Sequence, residues 1–132
     1  MPLLLGGEHL VTLAAVRAVA GRYPGLHIIH FDAHADLRDD YLGAHLSHAC
    51  VIRRCYDILG DGRIHQFCIR SGEREEFRFA KEHTDFLSFT LKAWKKPYRN
   101  WPGSRFRYIL PLIWTVWIHL YFREPVHRRQ EA

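Results

Sequence analysis

The chain has 132 residues, a formal charge of +5 and 48% hydrophobic residues. This length suits one domain with a buried core, and this composition excludes a disordered or collagen-like polymer. The charge is divided unevenly: residues 1–90 carry 10 Lys or Arg against 12 Asp or Glu, whereas residues 91–132 carry 9 against 2. All four tryptophans also lie in the second segment. We therefore predict a boundary near Thr90 between two regions of different composition.

Residues 1–90 predict alternating strands and helices. Apolar runs that end at Gly or Asp indicate strands, and apolar residues at intervals of three and four indicate helices. In chain order we predict a buried strand, a helix, a strand, a helix, a strand and an exposed, charged helix, over residues 3–5, 10–19, 26–31, 47–59, 63–70 and 73–83. Such an alternation forms a parallel sheet with right-handed crossovers, so the fold class is α/β.

Cysteine usage and the start of the chain say little about location, but neither suggests secretion, and we expect a cytoplasmic protein. The three cysteines lack the spacing of a zinc site and lie in apolar runs, so we expect buried, reduced thiols at Cys50, Cys55 and Cys68. No charged and apolar leader opens the chain. The apolar run at 108–122 is about 15 residues long, which is shorter than the roughly 20 that a spanning helix needs. We therefore predict no membrane partner.

Two polar loops follow the first two predicted strands. Gly-Gly-Glu-His occupies residues 6–9, and Asp-Ala-His-Ala-Asp occupies residues 32–36. Because the carboxyl ends of adjacent parallel strands meet at one edge of a sheet, we expect the two loops to lie together. Alternation along an extended segment would direct the side chains of Asp32, His34 and Asp36 to one side, and His9 would add a second imidazole.

These four side chains form a candidate metal site. Converging carboxylates are unfavourable unless a cation neutralises them. Two imidazoles with two carboxylates suit manganese, zinc or iron. The alternative is that Asp32 caps a turn while His34 and Asp36 are ordinary surface residues. The presence of such groups after two consecutive strands favours the metal site.

The same two loops resemble signature motifs of the ureohydrolase family, which includes arginase and agmatinase. The resemblance continues through Tyr-Leu-Gly at 41–43, Leu-Ser-His-Ala at 46–49, Ile-Arg-Ser-Gly at 69–72 and Arg-Glu-Glu-Phe at 74–77. These later segments are more similar to the agmatinase branch than to the arginase branch. The match covers residues 2–89. Leu10 and Cys68 depart from it, because the family usually has serine and glycine at these places.

The resemblance implies part of a three-layer α/β/α fold with a parallel sheet, and two manganese ions in a complete site. His9, Asp32 and Asp36 would bind one ion, and Asp32 and His34 would bind the other, so that Asp32 bridges them. Metal ions lower the pKa of water and orient it as a nucleophile. The agmatinase branch hydrolyses agmatine to urea and putrescine in this way. Members of the intact family form homo-oligomers.

The resemblance also implies roles for residues beside the metal site. His48 would be a catalytic proton shuttle, since a near-neutral pKa suits proton transfer. Alternatively, His48 is a helix N-terminal residue next to the cap at Ser47. Arg38 and Asp39 would contact the substrate, or else form ordinary ion pairs within their loop. We expect His45, His65 and His83 to lie at the surface.

The resemblance ends at the tail. The family fold begins upstream of Gly-Gly-Glu-His, so we expect an N-terminally truncated fragment. Two further family ligands come from an Asp-x-Asp-x-x-Asp-Pro motif, yet no aspartate follows Leu91. Codons allowed for residues 112–115, read one nucleotide earlier, spell Ile-Asp-Leu-Asp, and permitted codons around them restore the whole motif. We therefore hypothesise a one-nucleotide slip near residue 90, which leaves a partial ureohydrolase domain over 1–90 and an irregular, out-of-frame tail over 91–132.

Two classes of function follow from these patterns. The first is an agmatinase-like hydrolase that is inactive as this chain, because the family's second manganese ion would be weakly held without the missing aspartates. Guanidinobutyrate or arginine are alternative substrates. The second is a small basic nucleic-acid-binding module that uses basic residues of the tail together with its aromatic residues, namely Lys95, Lys96, Arg99, Arg105 and Arg107. That module does not explain the metal loops, so we predict a guanidino substrate and no nucleic-acid partner.

Overall fold

The computed structural model of the chain describes residues 4–88 and 107–109, whose centre is a parallel β-sheet. Its strands in chain order are β1 (Leu26–Phe31), β2 (Ile64–Ile69), β3 (Asp85–Ser88) and β4 (Arg107–Ile109). They lie in the order β3-β2-β1-β4, and every neighbouring pair is parallel. The predicted α/β class and parallel sheet are confirmed. The strand predicted at 26–31 has the predicted bounds.

Three helices accompany the sheet: α1 (Leu10–Ala20), α2 (Val51–Leu59) and α3 (Arg74–His83). A short 3-10 turn, His48–Cys50, precedes α2, so the helix predicted to begin at residue 47 has a tighter first turn. At the other end of α2, Gly60 has a φ of 80° and donates its backbone N–H to the carbonyl of Tyr56 at 2.8 Å. A residue without a side chain adopts this backbone conformation at little cost.

The core lies between one face of the sheet and the helices. Leu13 and Val16 of α1 and Ile52 of α2 pack with Ile28 and Ile64, and all five are at most 3% exposed. Ile28 and Ile64 are also register partners in β1 and β2. Burying an aliphatic side chain of this size stabilises the folded state by about 1.5–3 kcal/mol. The apolar spacing that predicted α1 is therefore the spacing that fills the core.

Helix α3 is less exposed than we predicted. Its side chains Glu76 and Ala80 are buried, and Phe77 and Phe79 pack against the core. The high charge of the helix hid a narrow inward face with the spacing of one helical turn. The predicted exposure is therefore wrong for this face and correct for residues such as Glu75.

The two ends of the described chain differ from our expectations. Leu4 and Leu5 belong to no strand and are 63% and 91% exposed, so the buried strand predicted at 3–5 is wrong at these two residues. β1 is an inner strand of the sheet, because it pairs with β2 on one side and with β4 on the other. Strand β4 is an exception to the irregular tail that we predicted. The other residues of that tail, and nearly all of the apolar run 108–122, lie outside the described residues.

The cysteines and one histidine can also be compared with their predictions. Cys50 and Cys55 are free and buried as predicted, and Cys68 is free and half-buried. Burial raises the pKa of the Cys55 thiol to about 12, so this thiol stays protonated at neutral pH. His65 is only 5% exposed, which shows that its predicted surface position is wrong. Among the described residues, no helix has the length and apolar character needed to cross a bilayer.

Candidate metal centre

The loop after β1 lies along the carboxyl end of β2. The backbone N–H groups of Arg70 and Ser71 both donate to the carbonyl of Ala33 at 2.9 Å, and Ala35 donates to the carbonyl of Ser71 at 3.0 Å. The carbonyl of Asp36 accepts from the N–H of Ile52 at 3.0 Å, in the first turn of α2. The first N–H groups of a helix lack partners within the helix, so this contact satisfies one of them. The loop is therefore fixed by backbone hydrogen bonds to two neighbouring elements.

His9 reaches this loop from the beginning of α1. The Glu8 carboxylate accepts from the backbone N–H of Leu10 at 2.8 Å, and the carbonyl of His9 accepts from Thr12 at 2.9 Å. These bonds fix the first turn of α1, with His9 at its N-cap position. The Nδ1 atom of His9 then lies 3.0 Å from Oδ2 of Asp36, and the two side chains are 7% and 11% exposed. The predicted meeting of the two loops is therefore present in the structure.

Four side chains converge at this edge, and we call them the carboxyl-edge cluster: His9, His30, Asp32 and Asp36. Each offers one potential ligand atom, and these atoms all lie within 4.8 Å of one another. The rings of His9 and His30 stack with centroids 5.5 Å apart, and Nε2 of His30 is 3.4 Å from Oδ2 of Asp32. The cluster includes three of the four predicted ligands and adds His30, which we did not predict.

The cluster has the donor chemistry of a cation site. The Nε2 atoms of His9 and His30 are both buried and have no hydrogen-bond partner. Burial raises the pKa of Asp32, but the contact with His30 and its charge, together with the backbone N–H groups of His34 and Ala33, lower it by more, so the net pKa is below its ordinary value. An ionised carboxylate beside unpartnered imidazole nitrogens is a nitrogen and oxygen set that fits manganese, zinc or iron.

His34 lies at the rim of the cluster. Its side chain is 52% exposed, with Nδ1 at 3.4 Å from Oδ1 of Asp32. The expected alternation assumed an extended segment, but the chain turns immediately after β1. Oδ1 of Asp32 accepts from the backbone N–H groups of Ala33 and His34, and Asp36 has a φ of 53°. Asp32 thus caps a turn, as our alternative proposed, and it also faces the cluster. The ligand role of His34 stays a prediction.

The three residues predicted to act on the substrate lie outside the carboxyl-edge cluster. His48 is exposed, and its ring packs edge-on against Tyr41 with centroids 5.5 Å apart. Arg38 pairs with Glu73 at 3.0 Å, and Asp39 forms an ion pair with Arg54. The Arg54 guanidinium holds the pKa of Asp39 below its ordinary value. The ion pairs that we considered as an alternative are therefore present, and the substrate roles of these three residues stay predictions.

A buried carboxylate that we did not predict, Glu76, holds the loop after β1 against α3. Oε1 of Glu76 accepts from the backbone N–H of Leu37 at 2.9 Å, and Oε2 accepts from the N–H of Glu73 at 2.7 Å. Glu73 and Glu76 together form a capping box at the start of α3. A Cβ atom at Gly72 would lie 3.3 Å from the Cβ of Ala35, so glycine permits this close approach. The polar i, i+3 pair before an apolar face was a sequence signal for this cap.

The fold and the cluster define an α/β domain with a candidate metal site at the carboxyl edge of a parallel sheet. The profile of the Arginase family matches residues 1–97 of this chain. The chain therefore belongs to the arginase family, as the resemblance of its two loops predicted.

The curated relatives and solved structures agree with this assignment. The agmatinase of Bacillus subtilis is 50% identical over 87 residues, which cover 66% of this chain and 30% of that protein. The agmatine ureohydrolase of Thermoplasma volcanium is 36% identical with a TM-score of 0.68, covering 83% of this chain and 38% of that chain. Arginase from Medicago truncatula is 30% identical with a TM-score of 0.61, covering 74% and 31%. The chain thus spans about a third of the length of these relatives.

Proposed function

We propose that this chain carries part of the metal site of an agmatinase-like hydrolase that acts on a guanidino substrate. The observation that supports this most strongly is the carboxyl-edge cluster. There His9 lies beside the carboxylates of Asp32 and Asp36, and its buried Nε2 atom has no hydrogen-bond partner. Agmatine is the substrate named for the relatives with the higher identities, whereas the guanidinobutyrase of Pseudomonas aeruginosa is 30% identical. We therefore favour agmatine over guanidinobutyrate.

Manganese is the metal that we propose for this site. His9, Asp32 and Asp36 would hold one ion, and His34 would turn inward to contribute to a second ion beside Asp32. Bound metal ions supply a water of lowered pKa and neutralise negative charge. The residues of this chain supply the rest: Asp36 orients His9 through the 3.0 Å contact, and His30 together with backbone N–H groups favours the ionised Asp32 carboxylate. His48, Arg38 and Asp39 would contact the substrate after rearrangement of their loop.

We further propose that the chain as written is inactive and that residues 91–132 are an out-of-frame tail after a partial domain over 1–90. The tail contains no aspartate and therefore lacks the family's remaining two aspartate ligands. We expect one manganese ion to bind and the second to bind weakly. We also propose a cytoplasmic location, and homo-oligomers only for the intact enzyme.

The first experiment measures manganese binding by the full chain. The loss of the free Mn²⁺ signal in electron paramagnetic resonance should indicate about one ion per chain, and Asp32→Asn should weaken binding by more than ~100-fold, since even second-shell losses reach that size. Asp40→Asn is the matched control, because Asp40 is an exposed carboxylate outside the cluster that accepts from the N–H of Gly43. Equal binding by the two variants would contradict the metal site.

The second experiment measures urea release from agmatine with manganese present. We expect negligible turnover, because the carboxylates that would clamp the second ion are missing. Turnover near that of an intact agmatinase would refute the proposed inactivity.

The nucleotide sequence tests the tail independently. A single insertion or deletion near codon 90 should restore the sequence Asp-x-Asp-x-x-Asp-Pro downstream. If no such change restores it, the proposed frame slip is contradicted.

A further inference from the structure

Gln66 connects β2 to the carboxyl-edge cluster through a buried side-chain amide. Gln66 is fully buried, and its Nε2 atom donates to the carbonyl of Ala35 at 2.8 Å. The same Nε2 atom lies 3.1 Å from Nδ1 of His30. Because an amide nitrogen carries two protons and accepts none, it can donate to both partners at once.

The Ala35 carbonyl fixes which way this amide points. If the amide were reversed, Oε1 would face the Ala35 carbonyl oxygen at about the present 2.8 Å, and two acceptors would repel each other. The orientation in the structure makes two hydrogen bonds and leaves only Oε1 of Gln66 without a partner. The reversed amide would lose the bond to Ala35 and leave that buried carbonyl unsatisfied. Nε2 of Gln66 is therefore the atom that faces His30.

The orientation of Gln66 determines the tautomer of His30. Since Nε2 of Gln66 can only donate, Nδ1 of His30 must accept and cannot carry a proton. In a neutral imidazole the proton then resides on Nε2. That atom is 3.4 Å from Oδ2 of Asp32, and both side chains are at most 1% exposed. His30 thus presents an N–H group, and no lone pair, toward the cluster.

We propose that His30 is a positioning residue that carries its proton on Nε2 and orients the Asp32 carboxylate, and that it is not a metal ligand although it lies within the carboxyl-edge cluster. The inference rests on the proposed metal site. A histidine with a protonated Nε2 cannot bind a cation through that atom, so the ligand nitrogen of the cluster is supplied by His9. The 3.4 Å contact is long for a hydrogen bond, as hydrogen bonds at catalytic sites often are before the substrate binds.

The first test reads the tautomer directly. The full chain with ¹⁵N-labelled histidine is studied by NMR without metal, and the His30 signals are assigned by their loss in His30→Gln. We expect a protonated Nε2 and an unprotonated Nδ1, and we expect the Nε2 proton to persist when Zn²⁺ is added. A proton on Nδ1, or loss of the Nε2 proton with Zn²⁺, would overturn the proposal.

The second test compares two variants of His30, one of which can replace its Nε2 atom and the other its Nδ1 atom. The amide of His30→Gln can place an N–H group near the position of Nε2, whereas that of His30→Asn reaches only the position of Nδ1. We expect His30→Gln to keep the Mn²⁺ dissociation constant within ~5-fold, and His30→Asn to raise it by ~10–100-fold, as for second-shell losses at metal sites. Equal losses in the two variants would contradict a positioning role.

The readouts separate this inference from the proposed function. Thermal denaturation followed by circular dichroism checks that both variants fold. If they do not fold, the His30 signals are assigned instead through their contact with the side-chain amide of Gln66, and the spectrum of the unsubstituted chain still decides the tautomer. If the full chain binds no metal at all, the proposed function fails, while the metal-free spectrum still tests the proton on Nε2 of His30.

Discussion

Two groups of histidines and aspartates lie at opposite ends of the parallel strands and differ in how their nitrogens are used. At the amino ends of the strands, Nδ1 of His27 is 2.9 Å from Nε2 of His65, and Nδ1 of His65 is 2.7 Å from Oδ2 of Asp85. We call these three residues the amino-edge row. In the carboxyl-edge cluster, Nε2 of His9 has no hydrogen-bond partner, and Nε2 of His30 lies 3.4 Å from Oδ2 of Asp32.

The difference teaches that convergence alone does not make a metal site. The amino-edge row uses its imidazole nitrogens in a chain of hydrogen bonds that ends on the exposed carboxylate of Asp85. The carboxyl-edge cluster instead has two largely buried carboxylates and, on His9, a buried Nε2 atom without a hydrogen-bond partner, an arrangement that a cation would stabilise. The two groups therefore differ in their unsatisfied hydrogen-bonding capacity, although both are built from histidine and aspartate.

The largest effect on stability should come from Glu76, whose carboxylate holds the loop after β1. Glu76→Ala removes the carboxylate that accepts from the backbone N–H groups of Leu37 and Glu73, so both groups lose this hydrogen bond. We expect the free energy of unfolding to fall by about 3 kcal/mol, since hydrogen bonds to a charged group contribute about 1.5–3 kcal/mol each and are not additive. Urea denaturation measures this change. Glu75→Ala, on the exposed face of the same helix, should change it by less than about 0.5 kcal/mol.

A loss below about 1 kcal/mol for Glu76→Ala would mean that backbone contacts alone hold the loop. Such a small loss would also mean that the hydrogen bond from Leu37 to Glu76 of α3 does not determine the geometry of the cluster. The Mn²⁺ affinity of a folded Glu76→Gln variant then shows whether the loop position, rather than stability, is affected.

The amino-edge row should make stability depend on pH. Burial, the neighbouring His65 and the positive charge of Arg63 lower the pKa of His27 to about 4, although Asp85 opposes them. The unfolded chain has the ordinary histidine pKa near 6.5 and therefore binds more protons at intermediate pH. The free energy of unfolding should thus fall by about 2 kcal/mol from pH 7 to pH 5, with the loss spread between about 6.5 and 4.

Thermal denaturation of the metal-free chain at the two pH values measures this dependence. His27→Gln should reduce the difference, and not abolish it, because burial also lowers the pKa of His65. An unchanged difference in that variant would assign the pH dependence to residues outside the row. The carboxyls whose pKa is lowered, such as Asp61, lose their contribution only at lower pH.

The smallest effect concerns backbone strain near the carboxyl edge. Cys68 has a φ of 67° at a register shift between β2 and β3, a conformation that favours glycine. Relief of this strain contributes about 1–2 kcal/mol, and the added freedom of glycine in the unfolded chain offsets about 0.5–1 kcal/mol. We expect Cys68→Gly to raise the free energy of unfolding by about 0.5 kcal/mol, measured by urea denaturation, whereas Cys68→Ala, which keeps the strain, should not.

Much of the fold could be predicted from the sequence because its apolar spacing is strong. The strand Leu26–Phe31 and the helix Leu10–Ala20 are consistent with local periodicity and turn residues. The run at Leu4 and Leu5 has the same apolar character, but a strand also needs a neighbour, and pairing is a tertiary property. The four residues of β3 were missed because they follow a charged helix without a turn signal.

The candidate site could be predicted only in part, because its geometry depends on one turn. His9, Asp32 and Asp36 meet because the two loops follow neighbouring elements at one edge. The turn after β1 moves His34 to the rim, and no local pattern shows that turn except the aspartate that caps it. His30 precedes Asp32 by two residues and therefore shares its side of the strand, which was the signal that could have identified it.

The most direct measurement of the central claim is the anomalous diffraction of a crystal of the full chain soaked in Mn²⁺. We predict a peak within coordination distance of His9, Asp32 and Asp36, with His30 beside Asp32 and not bound to the ion. The absence of a peak at the carboxyl-edge cluster, with manganese bound only elsewhere on the surface, would contradict a metal site in this chain.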